Sequence, residues 1–293
     1  MVNFIKLKDR WMRGLPYVGN KNQKADQIID ILPEGKRLID VFGGGGSISL
    51  HAISAGKWDE VIYNDINTSI VNLLKALITN NPKIDLKRFA VPNRETFFRY
   101  KKQEKISIER EIVLTCWSFS NDRCSFIFGK NNEFKILISQ ALMYGNTGTE
   151  YDFLYDRCKS STITETYQKY HKVKKEILAK GLRYSRRLQR LEQFQALEQL
   201  ERLSFKSCDY RSLKLSTDDI IYLDPPYIGT GNQYGGFNHE RFHKWYSSLP
   251  NSEIYISEYT QLPNTEIVAD MGVKHSFTAT GKRKHELLLK VIS

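Results

Sequence analysis

The sequence predicts an α/β chain built on a Rossmann-like, doubly wound parallel sheet that carries a basic, largely helical insert. Three observations predict it. Short apolar runs at 37–42, 60–63 and 219–223 each open onto turn residues. Between the first two lies a glycine-rich turn, and after the second a stretch with helical apolar spacing, giving strand, turn, helix, strand in order. The charge is also uneven. Residues 94–206 hold 22 basic and 14 acidic side chains, whereas the other 180 hold 22 and 19.

The strand assignments rest on composition. Arg37-Leu38-Ile39-Asp40-Val41-Phe42 runs into Gly43-Gly44-Gly45-Gly46-Ser47, Glu60-Val61-Ile62-Tyr63 into Asn64-Asp65, and Asp219-Ile220-Ile221-Tyr222-Leu223 into Asp224-Pro225-Pro226-Tyr227. Short apolar β-branched runs bounded by turn residues suit strands covered on both faces. The spacing at 68–80 predicts a helix capped by Asn67 or Thr68. Within the insert, Phe97, Phe98, Tyr100, Trp117, Phe119, Phe126 and Phe128 interleave with Lys and Arg. Leu188, Leu191, Phe194, Leu197, Leu200 and Leu203 recur every three residues, a step that slips about 60° on an α-helix, so the apolar stripe winds round it.

Composition excludes several classes. The 293 residues are 41% hydrophobic and 12% aromatic, enough for a packed core and against wholesale disorder. No apolar run approaches the ~18 residues that span a bilayer, and the charged start has no signal-peptide stretch. Cys116, Cys124, Cys158 and Cys208 form no CxxC pair, so they read as reduced thiols of a cytoplasmic protein, not a disulfide frame or zinc site. The net charge of +11 suggests a polyanionic partner.

Four motifs carry chemistry. Asp224-Pro225-Pro226-Tyr227 suits activation of an exocyclic amine on a nucleobase. Such a nitrogen is a poor nucleophile because its lone pair is delocalised into the ring. Two acceptors on its hydrogens, the Asp224 carboxylate and the Pro225 carbonyl, draw it toward tetrahedral geometry, and successive prolines hold that carbonyl still. Tyr227 offers a face for an unstacked base. The plainer alternative is a rigid turn with Tyr227 as packing. Phe42-x-Gly44-x-Gly46-Ser47 lets the backbone approach a ligand closely. It is neither a Walker loop nor a full GxGxxG pattern, since Ser49 stands where the third glycine would fall. Asp65, about 20 residues further on, suits ribose hydroxyls or a helix N-terminus. Tyr17-x-Gly19-x-Lys21 could line the carboxylate end of an amino-acid-like cofactor, or form a solvated loop.

Taken together, and in this order, these motifs resemble the DNA adenine-N6 methyltransferases of the Dam-like alpha group, as found in phages and restriction–modification systems. The likeness extends through Asn64-Asp65-Ile66-Asn67, Cys208-Asp209-Tyr210, Tyr234-Gly235-Gly236-Phe237-Asn238-His239 and Ile256-Ser257-Glu258-Tyr259. It covers about 1–80 and 205–293, with patches of the insert such as Cys116-Trp117-Ser118-Phe119-Ser120-Asn121.

The resemblance implies an S-adenosylmethionine-dependent methyltransferase fold, with 1–93 and 207–293 as catalytic domain and 94–206 as target-recognition insert. It implies S-adenosyl-L-methionine as cofactor. Tyr17 and Lys21 would meet its methionine end, and Phe42, Gly44, Gly46 and Ser47 would wrap it. Asp65 would hold the ribose, Asp209 and Tyr210 would lie near the adenine, and Asp224 would touch both cofactor and target. Asp224, Pro225, Pro226 and Tyr227 would carry catalysis by direct transfer to N6 of an adenine flipped from duplex DNA, without metal. The insert lacks the pattern of GATC-specific members, so a GATC target is not implied. A cognate restriction endonuclease is a possible further partner, and a monomer is expected because an asymmetric site needs no symmetric dimer.

Rival readings are a cytosine-N4 or RNA-base amino methyltransferase, a catalytically silent DNA-binding module, and a nucleotide-dependent oxidoreductase. His239, His243, His275 and His285 read as surface or packing residues, and Lys282-Arg283-Lys284 as a solvated charge run. The glycine-containing stretch 229–236 reads as a loop that closes over the flipped base.

Overall fold

The protein is seen as a computed structural model, which describes residues 13–89, 92–127, 129, 187, 190, 191, 193, 194, 200–229, 236–250, 253–273 and 285–292. The chain divides into two compact units. One draws on Met12–Gly14, Asn20–Val71 and Gln199–Ser293, the other on Met1–Trp11, Leu15–Gly19 and Asn72–Glu198.

The first unit holds a seven-stranded sheet. Its strands are β1 (Gly35–Asp40), β2 (Trp58–Asn64), β3 (Leu203–Lys206), β4 (Ile220–Leu223), β5 (Ile254–Glu258), β6 (Thr265–Val273) and β7 (His285–Val291), in the order β3-β2-β1-β4-β5-β7-β6. Strands β1 to β5 are parallel, and β7 runs antiparallel between β5 and β6. The chain winds outward from β1 to β3, then returns to β4 on the other side. The strand order therefore reverses between β1 and β4, and such sheets bind ligands beyond the carboxyl ends at that point.

The three apolar runs are the three inner strands, with shifted ends. β1 begins and ends two residues before the predicted run, although the Val41 amide still bonds the Tyr222 carbonyl at 3.1 Å. β2 is longer than predicted at both ends. Asp219 falls just outside β4, its amide bonded to the Ser216 carbonyl at 3.0 Å, and its buried carboxylate takes both Nε and Nη2 of Arg37, each at 2.7 Å. That fork joins the starts of β1 and β4.

The helices are α1 (Ala25–Ile31), α2 (Ser47–Ala55), α3 (Thr68–Thr79), α4 (Arg94–Lys102), α5 (Ile108–Cys116) and α6 (His239–Tyr246). Strand alternation distributes two of them over opposite faces of β1. Asp40 turns to α2, where its Oδ2 accepts from the Ser49 hydroxyl at 2.6 Å and the Ser49 amide at 3.2 Å. Ile39 and Val41 turn the other way and join Ile221, Leu223, Ile254 and Ile256 under Phe242 and Tyr246 of α6.

β3 settles the end of the three-residue leucine pattern. Leu191 and Phe194 are buried, but Leu200–Arg202 is a 3-10 turn and Leu203 starts the strand beside β2, so the helical reading does not extend to Leu203. Leu188 and Leu197 lie outside the described residues. The strand also lies within 94–206, so the sheet takes the last four residues of the segment read as insert.

In the second unit, α4 and α5 start at side-chain caps: Asn93 accepts from the Thr96 amide and Ser107 from the Arg110 amide. Aromatic residues there divide. Phe97, Trp117 and Phe126 are buried, whereas Phe119 is 61% exposed; Phe128 lies outside the described residues. Glu111, fully buried on α5, is paired with both Arg110 and Arg123.

Burial pushes the Asp40 carboxyl up to about 7, against the Ser49 bonds that favour its charge. The folded chain therefore holds a proton there that the unfolded chain releases near pH 4, so this group costs stability as pH rises from about 4 to about 7. Asp40→Asn keeps an acceptor for Ser49 and removes the titration. Its stability relative to the parent is expected to rise across that window by up to about 4 kcal/mol. Urea unfolding at several pH values measures this; a difference independent of pH would rule it out.

Candidate active site

At the carboxyl end of β1 the chain turns through four glycines into α2. Gly44 and Gly46 have φ of +48° and +78°, which only glycine adopts without strain. The turn is clamped from β2. The Asn64 carbonyl accepts from the Gly43 amide at 2.7 Å, and the Asp65 Oδ2 from the Gly44 amide at 2.9 Å. The Tyr63 hydroxyl donates to the Gly44 carbonyl at 2.7 Å. Asp65 also accepts from the Asn67 amide at 2.7 Å through Oδ1, the entry to α3. Each carboxylate oxygen retains acceptor capacity beyond these bonds. Burial raises its carboxyl while the two amides oppose the rise.

Beyond β4, Asp224 meets Lys21. The Lys21 Nζ lies 2.7 Å from the Asp224 Oδ1 and 3.3 Å from the Glu286 Oε1, with Lys21 5% and Glu286 2% exposed. The Tyr227 hydroxyl donates to Glu286 at 3.1 Å and also lies against Asp224. The Lys21 Nζ sits 4.8 Å from the Tyr227 ring centre, and the Tyr259 ring packs edge-on at 4.6 Å. Tyr227 is itself buried, so a base lying on this ring requires side chains over it to shift. Burial pulls Lys21 down, but the two carboxylates outweigh it and leave the ammonium above its ordinary value. Burial pushes the Asp224 carboxyl up; Lys21 opposes this, and the like charge of Glu286 adds to it.

Behind the Asp-Pro-Pro-Tyr turn stands Glu258, at the end of β5. It accepts from the Ile228 amide at 3.0 Å and the Tyr259 amide at 2.7 Å, and so fixes the chain leaving the turn. Tyr210 packs its ring against Phe42, Phe237, Phe242 and Trp245. Asp209 caps the following turn and forks onto Arg211 at 2.8 Å through both oxygens, which lowers its carboxyl. Ser47 is buried, and its hydroxyl meets the Asn22 Oδ1 at 3.0 Å, which also accepts from the Gly14 amide. Tyr17, half-buried, belongs to the other unit.

The sheet unit thus unites Lys21, Phe42, Gly44, Gly46, Ser47, Asp65, Asp209, Tyr210 and Asp224–Tyr227 around the carboxyl ends of its strands. Lys21, expected at the methionine end of a cofactor, is bound to Asp224. The sequence motifs do not single out Glu286 or Asn22, and they mark Asn64 only as the neighbour of Asp65. Asn64 is buried and ties β1 to the Cys208 backbone, donating to the Val41 and Cys208 carbonyls and accepting from the Cys208 amide. No group of three or more His, Cys, Asp or Glu among the described residues could hold a metal ion, and no described helix is long and apolar enough to cross a membrane. The stretch 230–235, His275 and Lys282-Arg283-Lys284 lie outside the described residues.

The family model of D12 class N6 adenine-specific DNA methyltransferases matches residues 17–248. The chain belongs to this family. Its fold and motif order agree, and the family's reaction, methylation of N6 of adenine in DNA, is the reaction of this methyltransferase. It is 28% identical over 241 residues to the type II methyltransferase M2.HphI of Haemophilus parahaemolyticus, covering 75% of this chain and 68% of that one. It is 23% identical over 230 residues to modification methylase StsI of Streptococcus sanguinis, covering 75% of this chain but 29% of that one. A 61-residue stretch is 39% identical to the DNA N-6-adenine-methyltransferase of Escherichia phage P1, 21% of this chain and 8% of that one.

The glycine turn yields a direct test. A Cβ on Gly43 would lie 2.2 Å from the Tyr63 ring, which is buried and bonded to the turn through its hydroxyl. Gly43→Ala is expected to cost about 1–3 kcal/mol in denaturant unfolding, and the cost should shrink in a Tyr63→Ala background. An equal cost in both backgrounds would show that the ring is not the obstacle.

Proposed function

We propose that this methyltransferase uses S-adenosyl-L-methionine, acts on double-stranded DNA as a monomer, and methylates an adenine rotated out of the helix. The observation that carries this reading is the placement of Asp224. It follows β4 at the point where the strand order reverses, beside the glycine turn of β1 and the acidic end of β2.

The residues fit the cofactor. Asp65, Asp224 and Glu286 bring three carboxylates to the ends of the sheet, where the Lys21 ammonium pairs with two of them, and Asp40 feels the charge of both Asp65 and Asp224. That surplus suits a ligand with a cationic sulfur and an amino group. The glycine turn would wrap it, Asp65 would accept from ribose hydroxyls, and Tyr210 with its aromatic neighbours would cover the adenine. When bound, S-adenosylmethionine supplies the electrophilic methyl that the target nitrogen receives directly.

The chain's own part is to orient and activate the amine. Asp224 accepts one N–H of the target, and the Pro225 carbonyl accepts the other. Both acceptances strengthen as the nitrogen becomes tetrahedral, so they stabilise the transition state more than the bound substrate. Asp224 need not keep the proton, because the methylated ammonium is acidic enough to release it to solvent. Glu258 holds the exit of the turn so that these acceptors stay in register.

The segment 94–206, short of the four residues that β3 gives to the sheet, supplies the basic surface for DNA, with phosphate contacts dominating affinity and Arg, Asn and aromatic side chains reading base edges; 1–93 and 207–293, joined by β3, form the catalytic domain. The modification methylases among its relatives support pairing with a restriction endonuclease in a cytoplasmic restriction–modification system.

Asp224→Ala is expected to abolish methyl transfer while DNA affinity survives. Methylated-nucleoside mass spectrometry and a DNA-binding titration measure the two; near-normal turnover would refute the assignment. Because Asp224 must be ionised to accept and burial raises its carboxyl, the rate should fall on acidification through a value above that of an ordinary aspartate. A profile flat down to pH 4 would contradict this.

A further inference from the structure

Lys21 poses a difficulty for the reaction. Its ammonium sits 2.7 Å from the Asp224 Oδ1 and so competes for the carboxylate that is to accept from the incoming amine. It cannot simply withdraw, because a lysine that is 5% exposed and stripped of its partner would be an unpaired buried charge. The structure provides an alternative partner. Glu286 enters from β7, 2% exposed, with Oε1 3.3 Å from the same nitrogen, and accepts from the Tyr227 hydroxyl. A shift of well under 1 Å would shorten the second contact to full ion-pair length. We propose that Glu286 is a second seat for the Lys21 ammonium, taking it when the target amine claims Asp224, and is thus a positioning residue for methyl transfer. The inference rests on Asp224 as the amine acceptor.

This assigns a use to a costly arrangement. Two carboxylates sharing one cation in a buried place repel each other, and a turn-stabilising role for Glu286 would need no charge at all. The Tyr227 hydroxyl could be satisfied by an amide oxygen. A charge there gives the Lys21 ammonium somewhere to go. Groups facing Asp224 are Lys21 from the segment before α1, Glu286 from β7, Tyr227 from its own turn, Tyr222 of β4, Tyr259 after β5 and Asp40 of β1. Among these, replacing Glu286 by glutamine removes one negative charge and leaves the shape.

The test compares E286Q, E286D and the parent, all full length, with ¹³C-labelled aspartate, assigning the Asp224 carboxyl by its loss in D224N. In E286Q, Lys21 is left with Asp224 alone. The Asp224 carboxyl should then titrate lower than in the parent, and kcat should fall roughly ten- to hundredfold with the KM for DNA little changed. The acid limb of the rate profile should move to lower pH with it. E286D keeps the charge one methylene shorter, so it should preserve most of the Asp224 titration and recover part of kcat. A folded E286Q with parental kcat and an unmoved Asp224 titration would overturn the inference. So would equal loss in E286Q and E286D without a titration change, which would mark a packing role. Should E286Q not fold, an E286D of parental stability that loses kcat while its Asp224 titration stays at the parental value would do the same. An active D224A would instead overturn the reading of Asp224 on which the inference stands.

Discussion

Acidic side chains crowd the ends of the central strands, and Lys21 is the cation that two of them, Asp224 and Glu286, share. Asp224 and Glu286 approach the same ammonium from β4 and β7, strands that are not neighbours in the sheet. The lysine therefore does more than neutralise. It fixes the distance between the turn after β4 and the reversed strand β7, and through Glu286 it sets the Tyr227 hydroxyl. The remaining carboxylates are managed differently. Asp40 is turned under α2 and held by Ser49, and Asp65 accepts from two backbone amides. Each has its own donors, although Asp40 still feels the charge of Asp65 and Asp224.

The sheet order explains why these groups meet at all. Parallel strands place every carboxyl end on one side, and the reversal between β1 and β4 leaves a gap there that no crossover fills. Inserting β7 antiparallel between β5 and β6 brings an amino-terminal strand end to the same side. Glu286 is the second residue of β7 and so faces the site from a direction that parallel strands could not supply.

Much of this was legible in the sequence because the informative residues follow apolar runs. The glycines after β1, Asp65 after β2 and Asp224 after β4 each stand where a strand must end, and strand ends in such a sheet share a location. Glu286 escaped notice because it begins an apolar run, His-Glu-Leu-Leu-Leu-Lys-Val, and looks there like a flanking charge. Only antiparallel placement of β7 turns it inward, and sequence periodicity carries no sign of strand direction. β3 was hidden for a related reason. Four residues at the edge of the sheet, Leu-Ser-Phe-Lys, alternate too briefly to stand out from the three-residue leucine spacing before them. Asn64 was legible as a turn residue, but its buried clamp on Val41 and Cys208 depends on pairing with β3.

A comparison within the protein shows why the pairing at Lys21 is a matter of exchange, not strength. In the other unit Glu111 is buried between Arg110 and Arg123, and Arg123 also donates to the Thr115 hydroxyl at 2.8 Å. There one anion is held by two planar guanidinium groups, one on each oxygen, and each guanidinium is also tied to other acceptors, Arg110 to the Tyr100 and Gln103 carbonyls and Arg123 to Thr115, an arrangement that resists change. At the sheet the ratio is inverted: one cation serves two anions, and the cation is a lysine, whose point charge on a flexible stem has no preferred orientation among its three donors. The first arrangement suits a fixed support. The second leaves a carboxylate that a neutral amine can claim without stranding a charge, and a carboxylate needed at the moment of reaction is better held by a partner that can leave.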